Sequence, residues 1–227
     1  MASKSTEAQE AISESFLFSS RVGAICGILG PLIGFASIAF AISLSLSWFN
    51  WWTNALSDLG HPGMLGGLNG TPGLNFAAPY FNGGLILTGI ITIIFCMHLL
   101  MFFYLRKKII GMIGTFLFMI SMMFLVLVGV YHEALLFPHT IAALGFFFTL
   151  FSCTIILGIA FVRNPSTRIE GIIALTMGVI ITITLFVGFS NLAPWTRAAI
   201  PEMIMAIAGF IWIVPVCIRM YWYGYEM

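Results

Sequence analysis

Charged side chains are nearly missing from this sequence. Only 7% of its 227 residues are Asp, Glu, Lys or Arg, where a soluble domain carries about a quarter. That scarcity excludes an ordinary water-exposed fold. The net charge of +1 also gives no electrostatic reason to expect a nucleic-acid partner. Cysteine is scarce too. Cys26, Cys96, Cys153 and Cys217 lie singly in four different apolar runs, with no CxxC or Cys/His spacing. Buried single thiols behave as small hydrophobes, so neither a disulfide framework nor a cysteine metal site is expected. No internal repeat is evident, which removes the usual pointer to an inverted-repeat transporter.

What is abundant is hydrophobic sequence, 60% of the chain. A membrane helix needs about 20 apolar residues, and six segments meet that length: roughly 22–46, 80–105, 109–131, 139–162, 170–190 and 200–219. Pro215 is expected to break the last near its end. The fold class that follows is all-α, a polytopic bundle of six transmembrane helices filling 21–227. Residues 1–20 form a polar segment ahead of it, either a short surface helix or disordered chain. The first run is longer than a signal peptide and lacks an obvious cleavage site, so it reads as a retained helix.

The few charges fall at two levels. Placing the N-terminus inside and crossing six times puts Lys4, Arg21, Arg106, Lys107, Lys108, Arg163, Arg168 and Arg219 on one side, leaving only Arg197 of nine basic residues on the other. Lys and Arg in short loops mark the cytoplasmic face. The expectation is therefore a cell-membrane protein, multi-pass, with both termini cytoplasmic. The outer face receives loops 131–138 and 191–199 and a long loop, 47–79. Within the long loop, Asn69-Gly70-Thr71 is a glycosylation sequon, although an Asn-Gly turn explains it more simply.

The first part of the long loop has a helical period. Trp48, Trp51, Trp52, Ala55, Leu56 and Leu59 follow spacings of three and four, with Asn50, Asn54, Ser57, Asp58 and His61 between them. This predicts an outer interfacial amphipathic helix of about three turns, stopped by Gly60 and Pro62. Its polar face either meets water or caps the helix mouths.

The remaining ionisable residues wait at those mouths. His132, Glu133 and His139 share one tight turn, Glu202 opens the last helix, and Asn82 opens the second. Ionisable groups at membrane depth are costly and point to function. His61, His132 and His139 form a candidate ligand set for a divalent metal, zinc before iron, with Asp58 or Glu133 as general base. The spacing matches no HExxH signature, and capping of helix ends explains the same residues. Asn54, Ser57, Asn82 and Glu202 complete the candidate pocket. His98 lies near the opposite end of its helix, and no paired imidazoles face each other at helix centres, so haem is not expected. Gly23, Gly27, Gly30 and Gly34 mark a close-packing face on the first helix.

Ser57-Asp58-Leu59-Gly60, then Pro79-Tyr80-Phe81-Asn82 running into Gly84-Leu85-Ile86-Leu87-Thr88-Gly89, carry a family likeness. So do Gly129-Val130-Tyr131 leading to Glu133 and His139, and Glu202 followed by Trp212. With these residues the chain resembles the prokaryotic membrane proteins of domain of unknown function 998. The resemblance implies a six-helix bundle without an established activity. Distant kinship to the FRAG/DRAM/Sfk group implies lipid handling by analogy. The family pattern more often has Pro at the position of His132 and Arg at that of Met203, which sets His132 and His61 apart from Ser57, Asp58, Asn82, Glu133, His139 and Glu202.

The function expected is an outer-side polar site that binds, and in the enzymatic version hydrolyses, a membrane lipid or small amphiphile with help from a metal. Ser, Asp and His of this kind also occur in alkaline ceramidases, whose HxxxH pair is absent here. The alternative is a non-catalytic structural or accessory subunit, in a homo-oligomer or a larger membrane complex.

Overall fold

The structure is a computed structural model that describes residues 2–65, 70–190 and 198–224, with backbone alone for 2–16 and 189. The sequon at Asn69 and the charge at Arg197 lie outside the described residues. Among the described residues, six helices are long and apolar enough to cross a membrane, so the chain is a multi-pass membrane protein. They are α1 (Ala2–Ser43), α2 (Ala78–Leu105), α3 (Ile109–Val130), α4 (Leu136–Val162), α5 (Arg168–Phe189) and α6 (Ala199–Tyr223). The polar N-terminal segment is neither a separate surface helix nor loose chain. It runs on from the first spanning helix as one rod. Pro215 does not break the last helix, which continues to Tyr223. Prolines are tolerated inside membrane helices because neighbouring groups satisfy the freed backbone.

Each helix packs on the next, and α6 returns to α1, closing a ring. Small residues bring the backbones together. A Cβ added at Gly23, Gly27, Gly30 or Gly34 would meet His98, Phe95, Thr92 or Thr88 in turn. The partner numbers fall as the glycine numbers rise, so α1 and α2 run antiparallel along a close-packed seam. The glycine face of α1 is thus spent inside the bundle. Near the same seam Ser19 Oγ and His98 Nδ1 lie 3.2 Å apart, which satisfies the histidine in the interior.

Between the helices, the interior of the ring is filled toward its basic end. Phe95, Leu99, Phe102, Leu157, Phe161 and Met220 are almost wholly buried there, and Glu170 is paired with Arg219 across the start of α5 and the end of α6. The other end differs, and the long loop covers it.

That loop is not a three-turn amphipathic helix. Residues 44–53 form successive turns, and only Leu56–Gly60 makes a short 3-10 helix. Two-residue strands β1 (Met64–Leu65) and β2 (Thr71–Pro72) pair antiparallel further on. The reason for the departure is local competition. The Trp52 N–H donates to Asn50 Oδ1 at 2.8 Å, the Asn50 N–H to Asn54 Oδ1 at 2.9 Å, and the Ala55 N–H to Asp58 Oδ2 at 3.0 Å. Side chains of Asn and Asp that capture nearby amides replace the helical ladder.

Candidate functional site

The polar residues of the loop turn inward. Asp58 has no exposed surface, and Asn54 and His61 are 6% and 8% exposed, while Trp51 and Trp52 on the other side are exposed. Burial of a carboxylate is costly unless donors meet it. Here the Asn54 Nδ2–H donates to Asp58 Oδ2 at 2.7 Å, beside the Ala55 amide. The Asp58 carboxylate is therefore engaged in shaping the loop.

Three further contacts seat the loop on the helices, and a fourth ties it to itself. The Leu56 N–H donates to Glu202 Oε2 at 2.7 Å, and the Ala199 N–H donates to Asn54 O at 3.0 Å. The Asn82 Nδ2–H reaches Gly60 O at 2.9 Å. Gly60 must be small at this point, since a Cβ there would meet Asn82 Oδ1 and, at 3.0 Å, the Phe81 ring. The fourth contact comes from Asn75, which sequence reasoning missed. Its buried Nδ2 donates toward the carbonyls of Asp58, Leu59 and His61 at 3.4, 3.1 and 3.1 Å, and its Oδ1 accepts from the Ala77 N–H at 3.0 Å. The signal was weak: an Asn whose side chain accepts the amide two residues on makes a local turn, and the N-cap of α2 itself is Ala77, without a side-chain cap.

The histidines lie close by but serve different contacts. His61 Nδ1 accepts from the Gly63 N–H at 3.3 Å. Burial pushes its imidazole below the ordinary value of 6.5, and positive charge on His132 adds to this, while Asp58 opposes it. His132 is the electrostatic neighbour of both His61 and His139. Its Nδ1 is buried with no hydrogen-bond partner among the described residues. Glu133, in the same turn, is 4% exposed. His139 Nδ1 lies 2.7 Å from Tyr131 O. A carbonyl brings no proton, so Nδ1 carries it and Nε2 keeps a bare lone pair in the neutral ring. Among the described residues, no group of three or more His, Cys, Asp or Glu side chains is placed to hold a metal ion. The metal-holding role expected of His61, His132 and His139 gains no support from this geometry.

Beneath the loop the ring encloses a cavity of about 150 Å³. Ser57, His139 and Glu202 line it at the loop end, together with Leu56 and Phe81. It then descends to Thr92, Phe118, Leu150 and Ile213. Three helices line it over the same span: Phe81 to Thr92, His139 to Leu150 and Glu202 to Ile213. At 1.5 Å per residue each span is roughly 16 Å long, about half of a ~30 Å hydrocarbon layer. The floor is aromatic. The Phe118 ring packs against Trp212 at 5.3 Å and Phe95 at 6.4 Å between centroids.

Apart from its loop end, the cavity is apolar. Thr88 and Thr92 are the partial exceptions: they line it, and their hydroxyls, buried without a hydrogen-bond partner among the described residues, lie close to Gly34 and Gly30 of α1. Of the nine candidate residues, the structure thus brings Ser57, His139 and Glu202 to one cavity mouth. Asn54, Asp58 and Asn82 hold the loop over it, and His61, His132 and Glu133 lie to the side.

A family model described as protein of unknown function (DUF998) matches residues 28–219, and the chain belongs to that family. Comparison with curated proteins and with solved structures returned no match.

Proposed function

We propose that this member of the family binds the apolar chain of a membrane lipid or small amphiphile inside its helix ring, with the polar head at Ser57, His139 and Glu202. The observation that carries the reading is the division of the cavity, polar at one mouth and apolar for the rest of its ~16 Å depth. A pocket with few polar groups set at one end orients an amphiphile. For an amphiphile arriving from water each methylene buried in such a space contributes about 0.8 kcal/mol, whereas a chain already in the bilayer is held by packing and by the contacts of its head.

In this reading the loop end faces outward and the basic end, with both termini, faces the cytoplasm, following the distribution of Lys and Arg. The loop serves as a lid. It rests on α6 and α2 through Glu202, Asn54 and Asn82, and opening it means exchanging those bonds for water. If the bound molecule is also hydrolysed, the group suited to take a proton is His139 Nε2, since Asp58 is held by Asn54 and Ala55.

The test is to fill the cavity from a position that can accept bulk. A Cβ at Gly209 would make only ordinary contacts, with Leu150 at 3.6 Å or more. The Gly209→Leu protein should remain folded and melt no lower than wild type. Binding of a fluorescent fatty-acid analogue, titrated into delipidated protein in detergent, should fall by at least roughly tenfold. Equal binding by a well-folded Gly209→Leu protein would remove the cavity from consideration and favour an accessory-subunit role.

A further inference from the structure

A second recess, of about 340 Å³, lies at the opposite, basic end of the bundle. The α2–α3 connection supplies Arg106, Lys107 and Lys108 to it, and Arg163 comes from the end of α4. Among the described residues no carboxylate lines it. Its inner wall is apolar, built partly from the buried rings of Phe102 and Phe103. Arg106 lies over the Phe102 ring at 4.9 Å from its centroid. Four cations from two separate connections thus share one concavity, where isolated topology signals need only face water.

The backbone of Lys107 adds an independent reason to see design there. The Lys108 N–H bonds to Phe103 O at 2.9 Å and the Lys107 N–H to Tyr104 O at 3.0 Å. This pair closes α2 in a Schellman motif, whose left-handed residue is usually glycine. Here it is Lys107, with φ of 53°. An L-residue in that region is strained, and strain retained with a functional side chain marks a site worth testing. The α3 helix follows at once, and Ile109 and Ile110 of its first turn also line the recess.

We propose that this recess binds a phosphate group at the membrane surface, supplied by an anionic phospholipid head or by free phosphate. Basic hollows between membrane helices suit such heads, and the exposed Tyr104, Leu105 and Ile109 beside the recess would meet the acyl chains.

The experiment is native mass spectrometry of the full chain with equimolar phosphatidylglycerol and phosphatidylcholine, with and without millimolar inorganic phosphate. Wild type should retain phosphatidylglycerol in preference. Lys107→Gly removes one cation and relieves the left-handed strain. It should lower the preference roughly fivefold while the melting temperature holds or rises. Lys108→Gln with Arg163→Gln should lower it roughly twentyfold, whereas Arg168→Gln, an exposed cation outside the recess, should leave it unchanged. Displacement of the lipid by inorganic phosphate identifies a general phosphate site, and persistence of the lipid identifies a headgroup site. The proposal falls if wild type shows no preference and no thermal response to phosphate, or if Arg168→Gln loses as much as Lys107→Gly.

Discussion

The carboxylate of Glu202 accepts the backbone N–H of Leu56 at 2.7 Å, joining two positions 146 residues apart. One oxygen thereby fixes the lid to the first turn of α6, where the helix dipole also favours a negative charge. A hydrogen bond to a charged group contributes about 1.5–3 kcal/mol. Glu202→Ala should therefore destabilise the protein by about 2 kcal/mol, and Glu202→Gln, which retains an acceptor, by about half of that. Amide exchange at Leu56 is the specific readout. It should accelerate in Glu202→Ala, and exchange unchanged in that variant would show that the lid is held by other contacts.

Asn75 supports a sharper substitution. Its Nδ2 points at three carbonyl oxygens and its Oδ1 serves the Ala77 amide. Asn75→Asp keeps shape and volume but turns the donor edge into an acceptor against those carbonyls. With the residue 4% exposed, the cost should reach several kcal/mol, since a buried polar group loses its partners and a charge is desolvated. Thermal melting in detergent should place Asn75→Asp far below Asn75→Ala. The reverse order would mean that the donor contacts contribute little.

How much of this was legible in the sequence depended on which force dominates each segment. The six spans were readable because long apolar runs have only one stable solution in a bilayer. The expected run 109–131 and the observed α3, Ile109–Val130, differ by a residue. The packing role of the α1 glycines was readable for the same reason. The lid was not. Its apolar spacing was helical, but Asn50, Asn54 and Asp58 bind amides of their own segment, and the seat on Glu202, 146 residues from Leu56, leaves no local signal. The cavity was invisible for another reason. Its lining comes from five helices, four or five residues from each, and no single stretch reveals that the ring fails to fill at one end.

His61 predicts a dependence on pH. Burial and the neighbouring His132 hold its folded-state pKa below the ordinary 6.5, against the pull of Asp58. As pH falls through 6.5 the unfolded chain takes up this proton before the folded one does, so stability declines with acidification. The stability in question is fully present above pH 6.5 and is lost on the acid side. His61→Asn preserves an acceptor for the Gly63 amide but cannot titrate. Melting curves from pH 8 to about pH 5 should show a shallower decline in the variant. Parallel curves for the two proteins would assign the acid response to other groups.

The contact between α2 and α3 near the lid yields a paired prediction at two glycines. A Cβ at Gly129 would lie 2.6 Å from the backbone oxygen of Asn82, which cannot rotate away. At Gly83, one residue further along α2, a Cβ would meet nothing within 4 Å. Alanine favours a helix over glycine by about 0.5–1 kcal/mol. Gly83→Ala should thus raise the melting temperature slightly. Gly129→Ala must push α3 from α2 and should cost about 1–3 kcal/mol, the usual range for overpacking. Because Asn82 also holds Gly60 of the lid, the displacement should reach the cavity mouth and weaken binding of the fatty-acid analogue as well. A Gly129→Ala protein that melts lower yet binds as wild type would separate helix packing from the lid, and would place the cavity entrance away from Asn82.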